Sequence, residues 1–65
     1  MPSKKISLAS ARVNAKLTQA QVAEEMNCAI STVRNWEKGI TFPKQPAIEK
    51  LCKLYDTPYD LIRFE

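Results

Sequence analysis

An all-α bundle of five short helices is the fold class that these 65 residues predict. Apolar residues recur at helical spacing (i, i+3, i+4, i+7) in successive short segments, and no segment alternates with a period of two over strand length. Each periodic segment is also bounded by a residue type that starts or stops a helix. A chain of this length forms one domain, close to the lower limit at which a single core folds without staples.

The first helix is expected over about Ile6–Ala15, because Leu8, Ala11, Arg12 and Ala15 share one face; Lys16 then turns the corner. Thr18 opens the second helix as its N-cap, and Gln21 three residues on completes a Thr-x-x-Gln capping box. Val22, Ala23 and Met26 form the buried stripe of that helix, and Asn27, which tolerates positive φ, ends it. The third helix runs from about Ile30 to Lys38 and stops at Gly39, the only glycine in the chain. A loop with Pro43 follows, and Pro46 fits the first turn of a fourth helix that presents Ile48, Leu51, Cys52 and Tyr55. Asp56-Thr57-Pro58 breaks that helix. A short fifth helix from about Pro58 to Phe64 is expected to give Tyr59 and Ile62 to the core. The single domain therefore covers 6–64, preceded by a flexible arm over 1–5, where Lys4 and Lys5 read first as a frayed, solvated terminus and second as a basic arm that tracks phosphates or reaches into a groove.

The third helix has two faces. At about 100° per residue, Val33 and Trp36 point one way, into the core, while Ser31, Arg34, Asn35 and Lys38 point the other. An apolar back with a stripe of long or hydrogen-bonding side chains suits a polar, anionic surface, and the major groove of double-stranded DNA is such a surface. The charge balance permits this, with 10 Lys and Arg against 7 Asp and Glu. Its arrangement says more than its total, since Arg34, Lys38 and Lys44 cluster on the third helix and the loop after it. Glu24 and Glu25 are adjacent, diverge on their helix, and read as solvent charges rather than a paired carboxylate.

Other classes fit poorly. The chain has no His, no CxxC, no activated Ser or Cys constellation and no glycine-rich phosphate loop, which argues against an enzyme, a metal site or any cofactor. Cys28 and Cys52 fall on apolar positions and read as buried free thiols. No apolar run is long enough to cross a bilayer, and the basic start lacks the hydrophobic stretch of a signal peptide, so the expected address is the cytoplasm, with no membrane partner and no small-molecule effector.

Three segments, LTQAQVAEEM, STVRNWEKG and IEKLCKLYDTPYDLI, resemble the Cro/C1-type helix-turn-helix domains, also called the XRE or lambda-repressor-like family. The resemblance covers about Ile6 to Ile62, with the helix-turn-helix at 18–38. It implies a sequence-specific transcriptional regulator, a repressor or genetic-switch protein of phage, mobile-element or bacterial type, that binds a double-stranded DNA operator with helix 30–38 in the major groove. Ile30, Ser31, Thr32, Arg34 and Asn35 match positions that face base edges or nearby phosphates, where Asn suits adenine and Arg suits guanine or phosphate. Gln19 matches a position whose backbone N–H and side chain contact a phosphate, and Lys38, Thr41 and Lys44 match a stretch that grips the backbone. Arg12 and Glu37 match positions that form a partly buried salt bridge in several members. A homodimer, weak or formed only on DNA, would use Tyr59, Leu61, Phe64 and the last two helices.

The chain departs from the family pattern at four places. Lys16 and Asn27 stand where Gly is common, and Ala29 stands where a Ser or Thr N-cap is preferred. Ile30 stands where polar, base-reading residues are common; it can touch a thymine methyl but cannot read a hydrogen-bond pattern. That apolar start keeps an alternative open, in which the same fold is a protein-interaction module, an antirepressor or modulator bound to another regulator.

Overall fold

The computed structural model describes residues 5–64. The elements in chain order are β1 (Ile6–Ser7), α1 (Leu8–Asn14), α2 (Gln19–Met26), α3 (Ile30–Lys38), α4 (Gln45–Leu54), a 3-10 turn (Tyr59–Leu61) and β2 (Ile62–Arg63). Of the arm expected over 1–5, everything but Lys5 lies outside the described residues.

Helix α1 starts later than its expected first residue, Ile6. Its periodic positions begin only at Leu8, and Ser7 is an extended N-cap whose Oγ accepts the Ser10 N–H at 3.0 Å. Ile6 instead pairs with Ile62, and Ser7 with Arg63, in a two-stranded parallel sheet that ties the two ends of the domain together. The fifth helix is likewise replaced. Pro58 is extended, Tyr59–Leu61 make one 3-10 turn, and Ile62–Arg63 continue as β2. The change of geometry alters which side chains reach the core: Ile62 is 2% exposed, whereas Tyr59, expected inside, is 58% exposed and stacks on Phe64 with ring centroids 5.6 Å apart.

Helix α2 has the bounds its caps dictate, and α3 ends where the left-handed Gly39 stops it. Thr18 Oγ1 accepts the Gln21 N–H at 3.1 Å while Gln21 Oε1 accepts the Thr18 N–H at 2.8 Å. Helix α3 begins after Ala29, which makes no side-chain cap. Ala29→Ser is therefore expected to stabilise the domain by about 1 kcal/mol, read as a rise in melting temperature.

Among the described residues, all four α-helices end in the same way. A left-handed residue follows the last turn (Lys16 φ 62°, Asn27 φ 57°, Gly39 φ 75°, Asp56 φ 50°). The next N–H then reaches back five residues: Leu17 to Arg12 O, Cys28 to Ala23 O, Ile40 to Asn35 O and Thr57 to Cys52 O, at 2.9–3.2 Å. This closure satisfies carbonyls that a bare helix end would leave unpaired. A lysine in this conformation carries roughly 1–2 kcal/mol of steric cost that glycine avoids. Glycine would add unfolded-state freedom worth about 0.4–1 kcal/mol, so Lys16→Gly is expected to stabilise by a net amount under about 1 kcal/mol in a denaturant titration.

The core draws one or two side chains from every helix: Leu8 and Ala11, Val22 and Ala23, Val33, Leu51, with Tyr55 and Ile62 closing it. Trp36, Met26, Cys28 and Cys52 pack against this cluster half-buried. Both thiols are free, as expected, and are half-buried rather than buried; burial raises the Cys52 pKa. No helix among the described residues is long and apolar enough to cross a membrane.

Candidate nucleic-acid interface

Helix α3 packs against α2 more extensively than any other two elements pack together, with Val33 fully buried on its inner side. The outer side is left to solvent. Ser31, Arg34 and Lys38 are exposed, Ile30 is 36% exposed, and Thr32 and Asn35 are half-buried. Thr41 and Lys44, on the loop to α4, are also exposed. The stripe read from the spacing of Ser31, Arg34, Asn35 and Lys38 is therefore one surface, with Asn35 set lower than the others.

Glu37 is the one acidic residue of α3, and its charge is compensated from behind. The Arg12 Nε–H donates to Glu37 Oε2 at 2.8 Å, with the two side chains 16% and 7% exposed. Arg12 also donates from Nη1 to Leu17 O at 2.8 Å, which fixes the guanidinium at the end of α1. The second carboxylate oxygen, Oε1, accepts the Gln19 Nε2–H at 2.9 Å. Both oxygens are thus bound, and the far end of α3 is tied to α1 and to the first turn of α2. Each group of the pair keeps hydrogen-bonded partners, and removing either one would leave the other charge largely buried without its counter-ion.

Gln19 does more than its sequence position foretells. Its side chain, expected on a phosphate, donates to Glu37, and its Oε1 accepts a long contact from Arg34 Nε at 3.4 Å. The order Arg12–Glu37–Gln19–Arg34 links a structural ion pair to an exposed cation of the stripe. No spacing rule could have found it, because the partners meet only when α1, α2 and α3 are packed. The Gln19 backbone keeps the role open to any first helical residue, since the first N–H groups of a helix lack partners within it.

Tyr55 lies beside this cluster. Its Oη is buried without a hydrogen-bond partner among the described residues, and burial first, then the charge of Glu37, push the phenol well above its usual range, against a smaller opposing effect of Arg12. It stays neutral at any physiological pH and serves as packing. No cluster of three or more metal-ligating side chains exists among the described residues.

A family model described as a helix-turn-helix domain matches residues 6–64. Comparison with curated proteins found no match, and comparison with solved structures found none either. The match spans β1 to β2 and includes the central pair α2 and α3, so the chain belongs to the helix-turn-helix domain family.

Proposed function

We propose that this protein is a sequence-specific transcriptional regulator of the Cro/C1 kind that binds a double-stranded DNA operator with α3 in the major groove. The observation that carries this is the composition of the outer face of α3. Ser31, Arg34 and Lys38 are exposed there, and the helix's single acid is neutralised by Arg12 behind it. A groove lined by phosphates favours such a surface electrostatically, and Arg34 and Asn35 carry the donor and acceptor patterns that read guanine and adenine. Ser31, Thr32 and Ile30 complete the base-facing set, Ile30 through a thymine methyl.

The grip on the DNA backbone falls to Lys38, Thr41 and Lys44 and to the N–H groups at the start of α2, where the helix dipole favours an anion. Repression or switching then follows from occupancy of the operator. Two copies would sit on half-sites about one turn of DNA apart. The exposed Tyr59 and Leu61, with Phe64 stacked on Tyr59, support pairing through that end of the domain. On this reading the protein works in the cytoplasm, where a bacterial or phage operator lies.

Salt dependence tests the reading. Duplex binding is expected to weaken steeply as salt rises, and Lys44→Ala is expected to lower the slope of log K against log salt by about one unit. Binding that ignores salt would overturn it.

One observation supports a second reading, a protein-interaction module. Ala29 and Ile30 are exposed side by side at the start of α3, next to half-buried Cys28. On that reading a regulator protein, not DNA, would cover this end of α3.

A further inference from the structure

The loop between α3 and α4 holds two large apolar side chains in solvent. Ile40 is 65% exposed, more than any other large apolar residue among the described residues, and Phe42 is 57% exposed. Isolated exposed apolar residues are ordinary. These two lie two residues apart on a segment that is fixed at both ends. The Ile40 N–H and Thr41 N–H both donate to Asn35 O, at 3.0 and 3.4 Å, and Gly39 takes the left-handed conformation that starts the loop. Pro43 is buried, and Lys44 follows as the N-cap of α4. The fold therefore keeps Ile40 and Phe42 out of the core.

The charge around them identifies the partner. Lys38 and Lys44, both exposed, bracket the loop, and no acidic residue occurs between the neutralised Glu37 and Glu49. A segment reading cation, apolar, apolar, cation fits a partner whose anions are separated by carbon-rich surface. A DNA strand has that character, because deoxyribose rings lie between successive phosphates. The loop also begins where the Ser31–Arg34–Lys38 stripe ends, so a strand bordering a groove entered by α3 runs next to it.

We propose that Ile40 and Phe42 form an apolar contact against deoxyribose rings of one DNA strand, between phosphates held by Lys38 and Lys44. The inference rests on the DNA-binding reading above and adds to it a component of affinity that is independent of both salt and sequence. Burial of apolar surface releases no counterions, so this component leaves the salt slope alone.

The test compares the full chain with an Ile40→Ala/Phe42→Ala variant on duplex DNA, at several salt concentrations, using duplexes carrying one half-site or two. The double variant is expected to bind about tenfold more weakly at every salt concentration, on both duplexes, with an unchanged slope and melting temperature. Each single variant is expected to show part of the same loss, so a double variant that fails to fold leaves the test intact. Wild-type binding together with undiminished binding by the variants would overturn the inference and leave the DNA-binding reading standing. A loss confined to the two-site duplex would also overturn it and assign the loop to contact between copies. Wild-type protein that binds no duplex would remove the DNA-binding reading and this inference with it.

Discussion

Glu37→Gln is expected to lower the stability of the domain by about 3 kcal/mol, the cost of leaving a largely buried charge without its partner. The substitution keeps the volume and removes the charge, so Arg12 Nε–H loses an anionic acceptor at 2.8 Å in a setting where its own side chain is only 16% exposed. The Gln19 bond to the other oxygen survives in part, because an amide oxygen still accepts. In a domain this small, 1 kcal/mol moves the melting temperature by about 4–8 °C, so a drop of more than about 10 °C is expected by circular dichroism. A melting temperature within a degree or two of wild type would mean that the pair adds nothing to stability. Arg12→Met is expected to behave similarly, since it strands Glu37 instead.

Arg34→Ala is expected to have the largest effect on DNA binding with little on stability, because the side chain is exposed and its hydrogen bond to Gln19 is long at 3.4 Å. If Arg34 donates to a guanine, its loss relaxes preference at one base pair by roughly 1–3 kcal/mol. If it meets only phosphate, all sequences weaken alike and the salt slope falls by about one unit. Competition binding with single-base variants of a selected site separates the two. A variant that binds every sequence with unchanged affinity would take Arg34 out of the interface.

What the sequence revealed about the fold was whatever is decided locally. The bounds of α2 and α3 rest on short-range chemistry: Thr18 with Gln21, the left-handed Asn27, and Gly39. Such signals are complete within a few residues and survive any tertiary context. The same holds for Pro46 in the first turn of α4. The pairing of Ile6 with Ile62 was not legible, because strands of two residues carry no alternation and their partners lie at opposite ends of the chain. That pairing in turn shortened α1 and converted the expected last helix into a 3-10 turn and a strand. Tyr59 therefore points to solvent, since a 3-10 turn followed by an extended strand does not keep the α-helical phase that would have turned it inward.

The candidate interface divides in the same way. Helical spacing alone put Ser31, Arg34, Asn35 and Lys38 on one side of α3, because the inner side was marked by Val33 and Trp36. The pairing of Arg12 with Glu37 came from the family resemblance and not from spacing, as the two residues stand on different helices. Gln19 shows where both sources stop. A first-turn glutamine suggests an anion contact, yet its side chain is engaged by Glu37 and Arg34, and only packed coordinates reveal that. The exposure of Ile40 and Phe42 is not legible in the sequence, because a loop residue carries no periodicity from which burial can be inferred.

The central claim is that α3 reads base sequence in duplex DNA. The most direct measurement is selection from random duplex DNA with the purified protein, sequenced at low and at near-physiological salt. The account predicts an enriched, two-fold symmetric motif whose half-sites lie about one helical turn apart, still visible at the higher salt. Binding that enriches no sequence at either salt would contradict it.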